Sequence, residues 1–286
     1  MRGYACLNNT RLKVYFFLLG LPALSGFAVL YLLPFCRTVW YSLIDNTYQA
    51  NFVFLDNYIN VLKNPYYQLA MKNTLIFSAV GVVSIGILSV MLSFGLLRLG
   101  KRLAFVKNLL IAPMVMPTAG IVFVWQIAFQ NDWYRILTHS NNGEGLWTIF
   151  PIMLLYIWKN TGINIIILGA ALIGIQEEVL EAATLDGADG FRLHRSVTLP
   201  LISPSLTFVI VLSFVNALKN FRESYLFFQT DYPPDAAYTV QYYMNNHFRK
   251  LNYQNLTAGS VMFTIVIVAI LMAAYFREKR YNDKIY

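Results

Sequence analysis

Apolar residues in this chain gather into long blocks, where a soluble core would show short and interrupted runs. Six blocks stand out, at residues 14–35, 71–97, 105–129, 149–174, 199–222 and 257–276. About 20 consecutive apolar residues cross the roughly 30 Å hydrocarbon core of a bilayer as a helix. A spanning segment must satisfy its own backbone hydrogen bonds, so helices are predicted; barrel strands would read as short alternating segments instead. Pro22, Pro113, Pro117 and Pro151 fall inside or at the ends of these blocks. Bundled membrane helices tolerate proline where neighbours satisfy the freed carbonyls. The first block exceeds the roughly 7–15-residue core of a signal peptide, and no small-residue cleavage site follows it, so a retained helix is expected. The pattern predicts an all-α polytopic bundle of about six transmembrane helices, with residues 1–286 as a single domain.

Composition agrees with this pattern. Of 286 residues, 57% are hydrophobic and 13% charged, with a mean hydropathy of +0.52. A soluble domain carries roughly 25% charged residues. The net charge of +8 does not mark a nucleic-acid binder, because the basic residues sit between the apolar blocks. Arg2, Arg11 and Lys13 form one cluster, Arg98, Lys101, Arg102 and Lys107 a second, and Arg277, Lys279, Arg280 and Lys284 a third. The alternate loops, near 45–70, 130–148 and 223–256, are sparser in lysine and arginine. Positive charge marks the cytoplasmic side, so both termini are predicted to be cytoplasmic.

Catalytic chemistry finds little footing. His139, His194 and His247 are scattered, with no metal-ligand spacing and no nucleophile–base arrangement, which leaves a membrane-embedded enzyme unsupported. Cys6 and Cys36 flank the first block and make no disulfide framework. Gly95 to Arg102 superficially resembles a phosphate-binding loop, but it lacks the Ser or Thr that would hold magnesium and it ends a helix rather than following a strand.

The loop at 175–198 departs from the others. Glu177, Glu178, Glu181, Asp186 and Asp189 outnumber Arg192 and Arg195, so the loop contributes little to orientation. Helix formers run to Gly187, a natural C-terminal stop, and Asp189 is placed to cap a second short helix toward Ser196. Two short helices meeting at a glycine predict a compact cytoplasmic knob.

Glu181-Ala182-Ala183, three residues, Gly187, nine residues, Val197, one residue, Leu199-Pro200 resembles the signature loop of binding-protein-dependent ATP-binding-cassette permeases. Asp186-Gly187-Ala188 matches its usual wording; Val197 replaces the usual isoleucine, and Gln176 stands where proline is common. The likeness runs along most of the chain. Pro34 to Ser42, Phe52 to Tyr58, Asn73-Thr74, Trp158 and Phe221 resemble the sugar-permease branch, in particular the larger-partner type of subunit of maltose-type importers, without its extra outer domain. Tyr232-Pro233-Pro234 replaces a glycine-rich stretch of that branch.

The resemblance implies a transmembrane permease subunit of an ATP-driven importer in a bacterial or archaeal cell membrane, forming part of the path for a carbohydrate of the oligosaccharide class. It implies a heterodimer with a second related permease, two cytosolic ATPase subunits and an extracytoplasmic substrate-binding protein. The chain would hold no cofactor of its own, ATP and Mg being bound by the ATPases. Residues 175–200 would be the coupling loop, with Glu181, Ala182, Ala183, Asp186, Gly187, Leu199 and Pro200 meeting the ATPase. Small Ala182 and Ala183 let a helix sit close in a groove, Glu181 can pair with a basic partner residue, and Gly187 permits the turn.

Polar side chains inside spans are functional candidates, because burying them in lipid is costly. Tyr156, Asn160 and Asn164 repeat every four residues on one face of the fourth span, and Ser213, Asn216 and Asn220 are similarly spaced in the fifth. Amides, a hydroxyl and an aromatic ring suit a sugar, and the related permeases line their path with these two spans. Interhelical hydrogen bonding is the competing use of the same groups. Asn164 and Asn216 are the leading candidates for substrate contact. Counting outward from the cytoplasmic end places Lys159 near the outer boundary, where it is expected to snorkel, with Trp133, Trp147 and Trp158 in an outer aromatic belt. The rival reading is an ion-gradient-driven secondary transporter or channel. It would need intramembrane carboxylates, and the six blocks hold none at mid-depth.

Overall fold

The computed structural model describes residues 9–97, 103–129 and 146–282. Arg2, Cys6, Arg98, Lys101, Arg102, Trp133, His139, Lys284 and most of the 130–148 loop lie outside the described residues, as do the side chains of Arg11, Lys13 and Lys107. The described elements are helical, with one isolated antiparallel bridge between Ile44 and Phe52. The chain gathers into two compact units. One holds residues up to Asn64 with His247–Met262, and the other Pro65–Asn246 with the chain from Phe263 onward.

In the first unit, α1 (Asn9–Phe27) runs through a π-helical turn at Ala28–Leu32 into α2 (Leu33–Tyr41). Together they give an apolar span, Phe16–Tyr41, with none of its length buried within the chain. The loop that follows is tied by its own polar side chains. Asp45 accepts from the Asn46 and Asn51 backbone N–H groups and from the Asn51 amide, which holds its carboxyl below the usual range. From α3 (Asp56–Lys63), buried Asn57 donates to the Ser42 and Ile44 carbonyls at 3.0 and 2.8 Å. Replacing Asn57 by Ala strips both carbonyls of this donor, and unmet buried polar groups cost about 1–3 kcal/mol each. Asn57→Ala is therefore expected to make the 42–56 segment protease-sensitive in detergent under conditions that leave wild type intact.

The second unit is built around α7 (Phe150–Ile173), packed against α4 (Pro65–Leu97), α5 (Leu103–Val115) and α11 (Ser203–Leu218). Phe77, Ile85, Ile152, Tyr156 and Ala217 form one buried cluster, and Leu168, Leu172, Ile202 and Val209 form another. At Gly162 of α7 an added Cβ would lie 1.9 Å from the Leu110 carbonyl oxygen of α5, so the two backbones touch without a side chain between them. Small residues at crossings let membrane helices gain van der Waals contact in this way.

Among the described residues, five helices are long and apolar enough to cross a membrane: Phe16–Tyr41, Pro65–Leu96, Phe150–Ile173, Ser203–Phe228 and Tyr253–Arg280. The sixth predicted span, at 105–129, is not one rod. Asn108–Val115 and α6 (Thr118–Phe129) meet at 97°. Pro117 lacks an N–H and disfavours helical backbone at Met116, which breaks the ladder there. The fifth span also differs from expectation. α11 is followed by a tight turn at Lys219 and Asn220, then α12 (Phe221–Phe228), so the apolar segment reaches Phe228 instead of ending at 222. Glu223 thereby falls within a candidate span. α13 (Val240–Arg249) and α14 (Tyr253–Asn282) complete the described residues.

Asn73 and Thr74 of α4 fasten the 229–240 segment. Asn73 donates to the Asp235 and Tyr238 carbonyls at 2.6 and 2.9 Å, and the Val240 N–H donates to the Thr74 hydroxyl at 3.0 Å.

Candidate functional site

Facing polar side chains of α7 and α11 form two tiers. In the closed tier the Asn164 amide donates to the Ser213 hydroxyl at 2.7 Å, and Ser213 donates to the Val209 carbonyl at 2.8 Å. The Tyr156 hydroxyl donates to the Ser213 carbonyl at 2.6 Å. Asn164 and Ser213 are each 1% exposed, and the Asn164 amide N–H ties the two helices together while its side-chain oxygen is buried without a hydrogen bond among the described residues.

The open tier lies beside it. Asn216 donates to the Asn160 side-chain oxygen at 2.9 Å, and Asn160 donates to the Tyr156 carbonyl at 2.8 Å. Both asparagines line a cavity of about 170 Å³ together with Met114, Tyr156, Lys159, Lys219, Asn220 and Glu223. Four of the six predicted path residues, Tyr156, Asn160, Asn216 and Asn220, thus share one cavity. Asn164 and Ser213 do not line it.

Lys159 differs from expectation. It turns inward and pairs with Glu223 at 2.6 Å, the two side chains being 15% and 14% exposed, with the Thr118 hydroxyl 3.4 Å from the ammonium. The cause is the length of the fifth span: α12 carries a carboxylate to the level of Lys159, and pairing there costs less than leaving either ion alone. Glu223 lies toward the far end of the candidate span Ser203–Phe228, beyond the 199–222 block. A signal was present, since Ser213, Asn216, Asn220 and Glu223 continue one helical spacing. Trp158, expected in an aromatic belt, stacks on Trp125 with ring centres 5.5 Å apart.

The second candidate site is the 175–198 loop. Gln176 is extended, and α8 (Glu177–Leu185) begins after it with Glu177 and Glu178 in its first turn, where a helix N-terminus favours acids. Gly187 ends α8 with φ +84°. Its N–H donates to the Thr184 carbonyl and that of Ala188 to the Ala183 carbonyl, both at 3.0 Å, a Schellman closure that relies on glycine's left-handed conformation. α9 (Gly190–Leu193) follows Asp189, whose side chain makes no capping bond, contrary to expectation; its carbonyl accepts from Arg192 instead. A π-helical turn at His194–Thr198 and α10 (Leu199–Leu201) lead into α11. Glu181, Ala182, Asp186 and Gly187 are exposed; Ala183, Leu199 and Pro200 are half-buried. Leu185 and Phe191 are 90% and 78% exposed, so the knob presents two large apolar side chains on an acidic surface.

Residues 85–284 match the family described as binding-protein-dependent transport system inner membrane component. The chain is 28% identical to the sn-glycerol-3-phosphate transport system permease protein UgpA of Yersinia pestis bv. Antiqua (strain Antiqua), with 91% of this chain and 92% of that protein covered. It is 28% identical to the trehalose/maltose transport system permease protein MalF of Thermococcus litoralis, with 93% and 94% covered. Its fold is similar to a chain of the bacterial alginate ABC transporter solved in complex with an alginate pentasaccharide-bound periplasmic protein. That match has a TM-score of 0.77 at 18% identity and covers 97% and 98% of the two chains.

Proposed function

The chain belongs to the binding-protein-dependent transport system inner membrane components, and on that premise we propose that it is a carbohydrate-translocating permease subunit of an ATP-driven importer. The relatives named for glycerol phosphate and trehalose/maltose transport support the substrate class, and the 170 Å³ cavity supplies amide and aromatic groups suited to it. A second permease, two ATPases and an extracytoplasmic binding protein complete the assembly, and the ATPases hold the nucleotide and Mg. Arg195 of the knob and Arg277 near the end of α14 line one cavity, which supports placing the knob and the C-terminal basic cluster on one side, the cytoplasmic one.

The observation that carries the reading is the knob's connection to the cavity. Its two ends continue into α7 and α11, the helices that carry Tyr156, Asn160 and Asn216. Leu168, Leu172, Ile202 and Val209 pack these helices together at the knob end, and the His194 ring lies 4.4 Å from that of Phe94. A push on the knob is therefore delivered to the cavity walls through packed side chains, not through a slack loop. ATP binding would close the ATPases, shift α8 and reshape the cavity.

Affinity purification of the chain from native membranes tests this. Wild type should bring down an ATPase, and Gly187→Pro should reduce recovery more than tenfold, since proline holds φ near −65° and lacks the N–H that Thr184 accepts. Purified wild type that captures no ATPase overturns the proposal.

A further inference from the structure

We propose that α11 and α14 form a binding site for an anionic phospholipid, with its headgroup at the knob. The two helices leave a groove in two connected stretches. The lower, about 340 Å³, is lined by Arg195, Arg277 and Glu278, by the hydroxyl residues Ser203 and Thr207, and by apolar Leu206, Ile210 and Ala274. The upper, about 330 Å³, shares Ile210 and Ala274, continues past Phe214 and Ile270, and is also lined by Leu75, Ser78, Ala79 and Val82 of α4. Ser78 is the one polar side chain lining the upper stretch among the described residues.

This polarity follows a phospholipid. Charge is confined to one end, and Arg277 lies near the end of the candidate span Tyr253–Arg280, where a membrane meets water. Neither arginine side chain has a hydrogen bond or ion pair among the described residues, and guanidinium groups match phosphate oxygens in pairs. Glu278 leaves the mouth a net charge of +1 and offers an acceptor to a headgroup hydroxyl, which fits a phosphoglycerol headgroup of charge −1. From Leu199 to Phe214 the helical rise is about 22 Å, comparable with half of a roughly 40–45 Å bilayer including headgroups. Basic pockets between spanning helices recognise anionic headgroups in this manner. The leaflet rests on the orientation proposed above; the site itself does not. Because Arg195 belongs to the knob, a bound lipid would brace the segment that takes the push.

The test uses the chain co-purified with its ATPase, in nanodiscs, with phosphatidylglycerol or phosphatidylcholine bearing a mid-chain photocrosslinker. Wild type should capture phosphatidylglycerol on α11 and α14 peptides about fivefold more efficiently than phosphatidylcholine, since a net charge of +1 at the mouth is worth about a factor of five. Arg195→Gln with Arg277→Gln should remove that preference, and Ala274→Trp should block capture of both lipids at the groove. Equal capture of the two lipids by wild type overturns the proposal, as does crosslinking of a second permease's helix across the groove. Capture from the opposite leaflet alone would keep the site and overturn the orientation. Co-recovery of the ATPase, read in the same samples, tests the importer reading separately.

Discussion

Gly162→Ala is expected to destabilise the second unit by about 3 kcal/mol, at the upper end of the usual range for overpacking. The new Cβ would meet the Leu110 carbonyl oxygen at 1.9 Å and its carbon at 2.6 Å, and a backbone cannot swing aside as a side-chain tip can. Relief requires α5 and α7 to separate, which withdraws α5, and Met114 with it, from the cavity wall. Gly169 is the control: it lies on the same helix, and an added Cβ meets nothing within 4 Å. Gly169→Ala should leave stability unchanged or raise it slightly, since alanine is the better helix former. Thermal unfolding of the detergent-solubilised protein, followed by tryptophan fluorescence, separates the two. Equal transition temperatures for both variants would show that the α5–α7 contact is not close in solution.

Glu223→Ala is expected to cost about 3–5 kcal/mol, because it strands the Lys159 ammonium with only the Thr118 hydroxyl nearby, at 3.4 Å. Lys159→Ala should cost a similar amount by stranding the carboxylate. The paired change, Lys159→Met with Glu223→Leu, should recover most of the loss, since replacing both ions with apolar groups removes the uncompensated charge. A double-mutant cycle on unfolding, closed with the single variants Lys159→Met and Glu223→Leu, should then return a coupling energy of about 2 kcal/mol or more. The restored variant should still transport poorly, because its cavity has lost two of its polar walls. Additive single-mutant effects would mean that the pair is screened by water and that each ion is solvated on its own.

Both of these contacts join segments far apart in the chain, beyond the reach of local sequence rules. Helical class, the number of apolar segments and the knob at 175–198 followed from local rules: block length, charge spacing and a glycine at a helix end. Each depends on a few neighbouring residues, so the chain displays it directly. The four-residue spacings likewise placed Tyr156, Asn160, Asn216 and Asn220 on facing surfaces, and these residues share one cavity. Spacing alone could not separate Asn216, which lines the cavity, from Asn164, which closes on Ser213 and is 1% exposed. That difference depends on how far apart the two helices stand at each level.

Lys159 shows the same limit in its sharpest form. By hydropathy it sat at a membrane boundary and Glu223 lay in a loop, and nothing local joins residues 64 apart in the chain. The turn at Lys219 and Asn220 lets α12 continue the fifth span and bring the carboxylate to the ammonium. The 97° break at Pro117 and the backbone contact at Gly162 are of this kind too. Proline and glycine can be read in the sequence, but what a break turns toward, or which backbone a glycine admits, is set by the neighbouring helix. For this protein the sequence by itself determined the membrane helices, the helical knob at 175–198 and the family, because periodicity and short-range motifs encode them. Only the tertiary structure decided which polar groups are structural ties and which face a cavity, because burial and pairing depend on segments far apart in the chain.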